Sequence, residues 1–421
     1  MKPSFLPKIS MAILMLMILI IPQSFFELKL PFLGVVLLWG LFGLLSSRLK
    51  IRSASFPTYY IIFFLLTAIW CLIGLVNGNS EIAIMEALRV YGVWMLVYFF
   101  LTIYVSNIEY QLGVDRLVIT GALGIGAVAT YTLLDGLFQL GWLPQSVMED
   151  MYLQVGLNDG YTQLNNVNIG MLNFIGPYLL SRLLLLEKKE PKFFLIIGLI
   201  VAVFSVIIAS RRAVMAVLLI SPFIVVLILA LVGQVKLWNL KIVFWCYLLS
   251  ILIVIAGMSM INYFDLGMLD GFTTRVLDAF TAEPEGPRTL QHAALMAGFS
   301  DSYIFGSGFG GVTSDVRSYD RPWTFELTYS RLLFNGGVLG VGVLVIFYFT
   351  YFLLTIRKIK HSGCVSIHIS LLTGFISVLI AAASNPYLSS FDFIFVLSII
   401  PLILNTRDQT SERSVTQNVE H

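Results

Sequence analysis

Long apolar segments dominate this 421-residue chain and limit what it can fold into. A helix of about 20 residues crosses the ~30 Å hydrocarbon core of a bilayer. Only helices satisfy the backbone in lipid at such lengths, so the chain is predicted to be an all-α polytopic membrane protein with about twelve transmembrane helices. The predicted segments are 9–23, 30–46, 57–76, 84–106, 116–140, 166–186, 193–209, 213–233, 240–262, 328–355, 366–384 and 391–404.

The composition agrees with this class. Only 12% of the residues are charged, against about 25% in a soluble domain. We therefore expect residues 1–405 to form a single transmembrane domain that includes an outer loop, 263–327. The polar residues 406–421 are expected to form a disordered cytoplasmic tail.

The positions of Lys and Arg predict the orientation, because short cytoplasmic loops carry an excess of both. With the N-terminus inside, the short outer loops receive only Lys29, Arg211 and Arg212. Both termini are then cytoplasmic, and loops 141–165 and 263–327 face outward. The inner side receives Lys2, Lys8, Arg48, Lys50, Arg52, Arg116, Arg182, Lys188, Lys189, Lys192, Lys236, Lys241, Arg357, Lys358, Lys360, Arg407 and Arg413.

The connection Ser210-Arg211-Arg212 goes against this bias. It joins two apolar segments on the predicted outer face with only three residues. A charge at the membrane edge is costly and is a functional hypothesis by default. We interpret the pair of arginines as a site that holds an anion at the outer leaflet.

The long outer loop carries a helix signal and a glycine-rich motif. Pro287 suits a first helical turn, and the apolar residues that follow recur at helical spacing, so an amphipathic helix on the membrane surface is expected. The motif at Gly306, Gly308, Gly310 and Gly311 follows no strand and fails as a nucleotide fingerprint. A tight turn is the simpler interpretation, although such a turn can aim backbone N–H groups at an anion.

Further charged and small residues lie at the start of the tenth predicted span. Arg331 follows Glu326 by five residues and should point about 140° away from it on a helix, which disfavours a simple ion pair. Gly336 and Gly340 have the spacing of close helix packing. Each outer arginine either binds phosphate oxygens or pairs with a carboxylate or headgroup. These arginines are Arg89, Arg211, Arg212, Arg275, Arg288, Arg317, Arg321 and Arg331.

Three motifs give the chain a family resemblance. The first is Ser210-Arg211, the second runs from Arg288 through Ala293-Ala294-Leu295 and Asp301 to Gly306-Ser-Gly308, and the third is Glu326 with Gly337 eleven positions on. In order and spacing they resemble the bacterial O-antigen ligase and polymerase superfamily of lipid-linked glycan transferases. The resemblance covers nearly the whole chain.

This resemblance implies an enzyme of the bacterial inner membrane that uses undecaprenyl diphosphate-linked oligosaccharides at its periplasmic face. A chain-length regulator, a flippase and membrane lipids are the implied partners, with no nucleic acid, no cofactor and no metal ion. An inverting displacement is expected, with cations near the leaving diphosphate and a base for the acceptor hydroxyl. The catalytic candidates are Glu326, Arg211 and Arg288, and the substrate-binding candidates are Arg212, Arg89, Arg331, His292, Gly306 and Gly308.

Alternative functions remain open. In the ligase branch a histidine usually occupies the position of Glu326, so glutamate favours a surface-polysaccharide polymerase over a ligase that transfers glycan to lipid A–core. His292, in the usual tryptophan position, is the reserve candidate for a base. A lipid-linked oligosaccharide transporter is less favoured. Such proteins commonly show repeats, broken helices or ionisable groups at the membrane midplane. This sequence shows no evident repeat, and its notable charges lie at the predicted outer edge.

Overall fold

The computed structural model describes residues 5–47, 49–107, 110–158, 161–165, 167–185, 192–209, 211–234, 286–362 and 365–406. Most of these residues are helical. The α-helices are α1 (Phe5–Ile20), α2 (Phe26–Leu45), α3 (Ser55–Val76), α4 (Glu81–Ala87), α5 (Trp94–Asn107), α6 (Tyr110–Phe138), α7 (Gln145–Asp150), α8 (Leu172–Leu184), α9 (Lys192–Ala209), α10 (Arg212–Val232), α11 (Pro287–Asp301), α12 (Thr328–Lys360), α13 (Val365–Ala381), α14 (Phe391–Ile394) and α15 (Ile399–Leu404).

Several of the described helices have the length and composition of membrane spans. Seven are long and apolar enough to cross a bilayer, which indicates a membrane-embedded protein. One of them, Glu81–Asn107, joins α4 and α5 through a π-helical turn, Leu88–Val93. The others are Phe26–Leu45, Ser55–Val76, Gly113–Phe138, Lys192–Ala209, Ala213–Val232 and Thr328–Lys360.

The predicted apolar segments coincide with described helices, apart from 240–262, which lies outside the described residues. Two segments are less regular than the hydropathy pattern suggests. Segment 166–186 holds only the 13-residue α8, preceded by a 3-10 helix. Segment 391–404 is divided by the 3-10 helix Phe395–Ser398. The count of twelve spans therefore stays a prediction.

Loop 141–165, which is predicted to face outward, contains structure that the sequence did not indicate. It begins with the short helix α7 and continues into the strands β1 (Gln154–Asn158) and β2 (Tyr161–Asn165). The strands pair antiparallel, with Gln154 opposite Asn165. The protein is mostly helical, as predicted, and this hairpin is an exception in which backbone groups pair between strands.

The chain divides into two compact units. The first takes its residues from Met1–Val35, Glu109–Ala282 and Cys364–Val378, and the second from Val36–Ile108, Glu283–Gly363 and Leu379–His421. Each unit contains helices long enough to span a bilayer. The single transmembrane domain stays a prediction, and residues 407–421 of the expected tail lie outside the described residues.

A buried ion pair lies in the first unit, where α8 packs against α6, α9 and α10. Arg182 donates from Nε and Nη2 to the carboxylate of Asp115, with the shortest contact at 2.8 Å. The Arg182 side chain is only 2% exposed. Arg182 was expected among the inner-side cations, but its charge is balanced inside the protein because Asp115 of α6 faces it.

In the second unit, buried tyrosines bond to the interrupted segment 391–404. The hydroxyl of Tyr59 in α3 donates to the carbonyl of Leu397 at 2.7 Å. The hydroxyl of Tyr98 in α5 donates to the carbonyl of Phe391 at 2.9 Å. An irregular helix leaves backbone carbonyls without a partner, and lipid cannot satisfy them. The tyrosine hydroxyls supply those hydrogen bonds from within the unit.

Helix α12 is broken near its start. At Gly337 the backbone leaves the helical region, with φ of 60° and ψ of −174°. The break exposes carbonyls on its N-terminal side, and the glycine-rich turn bonds to them. The N–H of Ser307 donates to the Phe334 carbonyl at 2.9 Å, and the N–H of Gly308 donates to the Asn335 carbonyl at 2.9 Å.

The same turn accepts hydrogen bonds from the C-terminal side of the break. The N–H of Val338 donates to the Tyr303 carbonyl at 3.0 Å, and the N–H of Leu339 donates to the Ile304 carbonyl at 3.1 Å. Backbone groups freed by a helix break must find partners within a membrane protein. The segment 303–308 therefore holds the broken helix together.

Trp70 of α3 explains two of the glycines in α12. A β-carbon at Gly336 would lie 2.8 Å from the indole ring of Trp70, and one at Gly340 would lie 2.7 Å from it. These distances leave no room for a side chain. The prediction that Gly336 and Gly340 serve close packing is confirmed.

Gly308→Ala is expected to lower the free energy of unfolding by roughly 2 kcal/mol or more. Gly308 has a φ of +73°, which costs other residues about 1–2 kcal/mol, and a β-carbon there would overlap the backbone of Gly74. The measurement is thermal unfolding in detergent. Gly342→Ala is the matched control, since nothing lies within 4 Å of its β-carbon position. An equal midpoint for both variants would contradict this role of the turn.

Candidate functional site

Glu326 lies between two arginines, two residues before α12 begins. Its Oε2 accepts a hydrogen bond from Arg288 Nε at 2.9 Å, and its Oε1 lies 3.1 Å from Arg317 Nε. The Glu326 side chain is 24% exposed, whereas both arginine side chains are more than half exposed. One carboxylate and two cations therefore form a cluster that solvent can reach.

Helix α11 fixes the position of Glu326 through a buried glutamine. The Oε1 of Gln291 accepts the backbone N–H of Glu326 at 2.8 Å and that of Leu327 at 3.4 Å. Gln291 is 5% exposed. Beneath it, Leu295 of α11 packs against Phe325 and Phe334 in a small buried cluster. The expected helix from Pro287 is confirmed, and Leu295 packs within the protein, whereas Leu290 is exposed. The position of this helix on the membrane surface stays a prediction.

His292 lies on the same face of α11 as Arg288, four residues further along. One of its ring nitrogens, Nδ1, is 2.9 Å from the hydroxyl of Ser330. Residues four apart are neighbours on a helix surface. Arg288 therefore contacts Glu326, just before α12, and His292 contacts Ser330 in the first turn of α12. The two candidate bases, His292 and Glu326, thus belong to neighbouring contacts.

A second carboxylate, Glu86 of α4, also has several partners. The indole N–H of Trp323 donates to Glu86 Oε2 at 2.9 Å. Arg321 Nη1 lies 3.7 Å from Glu86 Oε1, and Arg89 Nη2 lies 4.0 Å from the same oxygen. Two arginines thus share one carboxylate at the edges of ion-pair distance.

Arg331 contacts hydroxyl groups. Its Nη1 donates to Ser389 Oγ at 3.0 Å, and its Nη2 donates to Tyr91 Oη at 2.9 Å. The expectation that it does not pair with Glu326 agrees with these contacts. Arg331 and Arg89, both predicted to bind substrate, line the same cavity of about 160 Å³.

Two amides of the glycine-rich motif donate to backbone carbonyls of the protein. The N–H of Gly306 donates to the Ser302 carbonyl at 2.7 Å, and that of Gly308 donates to the Asn335 carbonyl at 2.9 Å. The substrate-binding role of Gly306 and Gly308 stays a prediction, and these contacts favour the interpretation of the motif as a tight turn. The Gly308 amide bonds to the broken helix, and the Gly306 amide closes the turn from Ser302, so both donors are already used.

Arg211 and Arg212 lie in the first unit, whereas the other candidate residues lie in the second. Arg211 is half-buried and precedes α10, with an extended backbone at φ −88° and ψ 102°. Arg212 begins the helix. A short connection between two apolar helices is therefore present, as the sequence indicated. Ser210, Arg275 and the side chain of Arg212 lie outside the described residues.

Several residues of these clusters were not among the site residues predicted from the sequence. Arg317 and Arg321 were only two of many outer arginines, and no local pattern singled them out. Gln291 and Tyr91 lie in segments whose sequence carries no motif that marks either residue. Glu86 and Trp323 are far apart in the chain and meet only in the folded unit. Arg288 and His292 were chosen through the family resemblance, and their four-residue spacing also agrees with one helix face.

Among the described residues, no group of three or more His, Cys, Asp or Glu side chains can hold a metal ion. The expectation of a metal-independent reaction stays a prediction. A comparison with protein-family models and with curated proteins finds no match to this sequence. The function therefore has to be argued from the site itself.

Proposed function

We propose that this chain is an O-antigen or surface-polysaccharide polymerase. It transfers glycan from undecaprenyl diphosphate to a lipid-linked oligosaccharide acceptor at the periplasmic face of the bacterial inner membrane. The observation that carries the proposal is the Glu326 carboxylate between Arg288 and Arg317. An attacking hydroxyl needs a hydrogen-bond acceptor, and a departing diphosphate needs cations. This cluster offers both kinds of group.

The proposed topology has twelve spans and cytoplasmic termini, and the charges of α12 support it. Arg357, Lys358 and Lys360 lie in the last turn of this helix, and Glu326 lies just before its first turn. The excess of Lys and Arg on the cytoplasmic side favours an inward-facing end at residue 360. Glu326 then faces the periplasm, where the acceptor sugar is presented.

In the proposed reaction, the oxygen of an acceptor hydroxyl attacks the anomeric carbon of the donor sugar. The bond from that carbon to the lipid diphosphate breaks, and the diphosphate leaves with the electron pair. Glu326 takes the hydroxyl proton. An ionised carboxylate has about four lone-pair positions, so Glu326 can accept this hydroxyl while it contacts both arginines. Arg288 and Arg317 supply positive charge for the departing diphosphate, which lowers the barrier to bond cleavage. The anion-binding role of Arg211 and Arg212 is a separate prediction from the sequence.

A single displacement inverts the anomeric centre. We expect the product linkage to have the opposite anomeric configuration to the donor, as measured by NMR of the released glycan. Intact-protein mass spectrometry is expected to detect no sugar adduct during turnover. A trapped glycosyl ester on Glu326 would contradict this mechanism.

A ligase is the second candidate, and His292 favours it. This histidine lies one helical turn from Arg288 and contacts Ser330, so an imidazole is present beside the Glu326 cluster. Reconstitution with a defined lipid-linked oligosaccharide, with and without lipid A–core, separates the two. A product ladder without core supports the polymerase, whereas one transfer that requires core supports the ligase.

A transporter of the same lipids is the third candidate, and the break in α12 is the feature that favours it. Broken helices in transporters line the substrate cavity. Here the backbone groups at the break bond to the turn 303–308, which disfavours that use. Vesicles that contain only this protein provide the test, since lipid movement without glycan transfer would replace the enzyme proposal.

A further inference from the structure

The cavity in the second unit lies outside the Glu326 cluster and carries an excess of positive charge. Its charged lining residues are Arg89, Arg321, Arg331 and Glu86. Three guanidinium groups less one carboxylate leave a formal charge of +2. The side chains of Arg89 and Arg321 are 58% and 62% exposed, so solvent reaches the cavity.

Among the arginines of this cavity, Arg331 has the positive charge that is least balanced by carboxylates. Within the described part of the chain, no carboxylate lies within ion-pair distance of Arg331. Its two hydroxyl partners, Tyr91 and Ser389, use one N–H of each terminal nitrogen. A guanidinium has five N–H donors, so three remain for a ligand. Arginine presents these donors as a planar fork that suits phosphate oxygens.

The π-helical turn Leu88–Val93 brings two of these residues to the cavity. Arg89 and Tyr91 are two positions apart, and such residues do not face each other on a regular α-helix. Both residues nevertheless line the cavity, and both lie in this π-helical turn. Single π-turns inside α-helices occur frequently at functional sites.

Size and charge select the chemical class of the ligand. A volume of about 160 Å³ is smaller than the ~300–1,000 Å³ of pockets for drug-sized ligands. It exceeds the ~30 Å³ of one water several-fold, so a compact group fits. A phosphoryl group carries about −1.5 to −2 at pH 7, which matches the +2 of the cavity better than a single carboxylate does.

We propose that this cavity binds a phosphoryl group through Arg331, Arg321 and Arg89. The phosphoryl group belongs either to a lipid headgroup or to a soluble phosphate, and both present the same oxygens to the arginines. Its assignment to a lipid-linked substrate rests on the proposed function. The binding chemistry itself does not depend on the reaction at Glu326.

Binding of inorganic phosphate to the purified full-length protein in detergent tests the proposal. We expect Arg331→Gln and Arg321→Gln each to weaken the affinity about 10-fold or more, through the loss of a charge-assisted contact. Arg357→Gln, an exposed arginine at the other end of α12, is expected to leave it unchanged. If Arg331→Gln fails to fold, Arg321→Gln alone tests the site. Arg321 lies on an exposed loop, so its substitution is expected to leave the fold intact.

Two further binding measurements identify the class and the source of the ligand. Glucuronate at equal ionic strength is expected to bind more weakly than phosphate, and equal or tighter binding would overturn the phosphoryl assignment. Nanodiscs with undecaprenyl phosphate displace the bound phosphate if the source is a lipid, and leave it in place if the source is soluble. Absent phosphate binding, or binding that neither variant weakens, would overturn the site.

Glycan transfer, measured on the same variants, keeps this proposal separate from the proposed function. Phosphate binding without transfer in the wild type would count against the enzyme only. Transfer without phosphate binding would count against the cavity only.

Discussion

Glu326→Gln is expected to lower the rate of glycan transfer by about 10²–10⁴-fold, the range for removal of a positioned general base. Glutamine keeps the shape of the side chain but does not take the hydroxyl proton. The backbone N–H of residue 326 still donates to Gln291, so the segment stays in place. The measurement is the initial rate of product formation by purified protein with a defined lipid-linked oligosaccharide.

Glu81→Gln is the matched control for this variant. Glu81 is exposed in the first turn of α4, in the same unit, and contributes to neither cluster. We expect it to keep the wild-type rate. A wild-type rate for Glu326→Gln, together with a large loss for His292→Asn, would transfer the role of base to the histidine. A wild-type rate for both would remove the cluster from the reaction.

Arg211→Ala is expected to abolish polymer, with a fall in transfer rate of about 10²–10³-fold, the usual cost of one preorganised group that stabilises developing charge. The lost charge is one that the sequence assigns to binding of the donor diphosphate. Arg211 precedes α10 and makes no side-chain cap hydrogen bond to this helix, so alanine is expected to leave the helix intact. Polymer length is read from a gel of the surface glycan, and membrane content from an immunoblot.

Arg357→Ala is the control for this second variant, because it removes an exposed arginine from the proposed cytoplasmic end of α12. We expect normal polymer in that case. Equal amounts of both variants in the membrane fraction exclude a folding defect. If Arg211→Ala made polymer of wild-type length, Arg211 would have no part in the mechanism.

The local part of the candidate site was predictable. A proline at the start of a helical pattern located α11, and the spacing of Arg288 and His292 placed both on one of its faces. The five-residue separation of Arg331 from Glu326 indicated different directions for the two side chains. Each of these inferences depends on residues within a few turns of one helix, where backbone geometry is regular.

The long-range part was not predictable. Arg317 meets Glu326 through a loop without a regular pattern, and Trp323 meets Glu86 across more than two hundred residues of chain. The buried pair of Arg182 and Asp115 was not predictable either. An arginine on the predicted inner side usually faces water. Only packing of separate helices brings such groups together.

The sequence by itself determined the class of this protein. Apolar segments of bilayer length permit little other than helices, because an unpaired backbone group in lipid costs several kcal/mol. The sequence also marked the charged positions at the predicted outer face. The tertiary structure decided how those charges pair. It placed Glu326 between two arginines, left Arg331 with hydroxyl partners, and used the glycine-rich turn to complete a broken helix. These outcomes depend on which helices meet, and such contacts have no periodic signal along the chain.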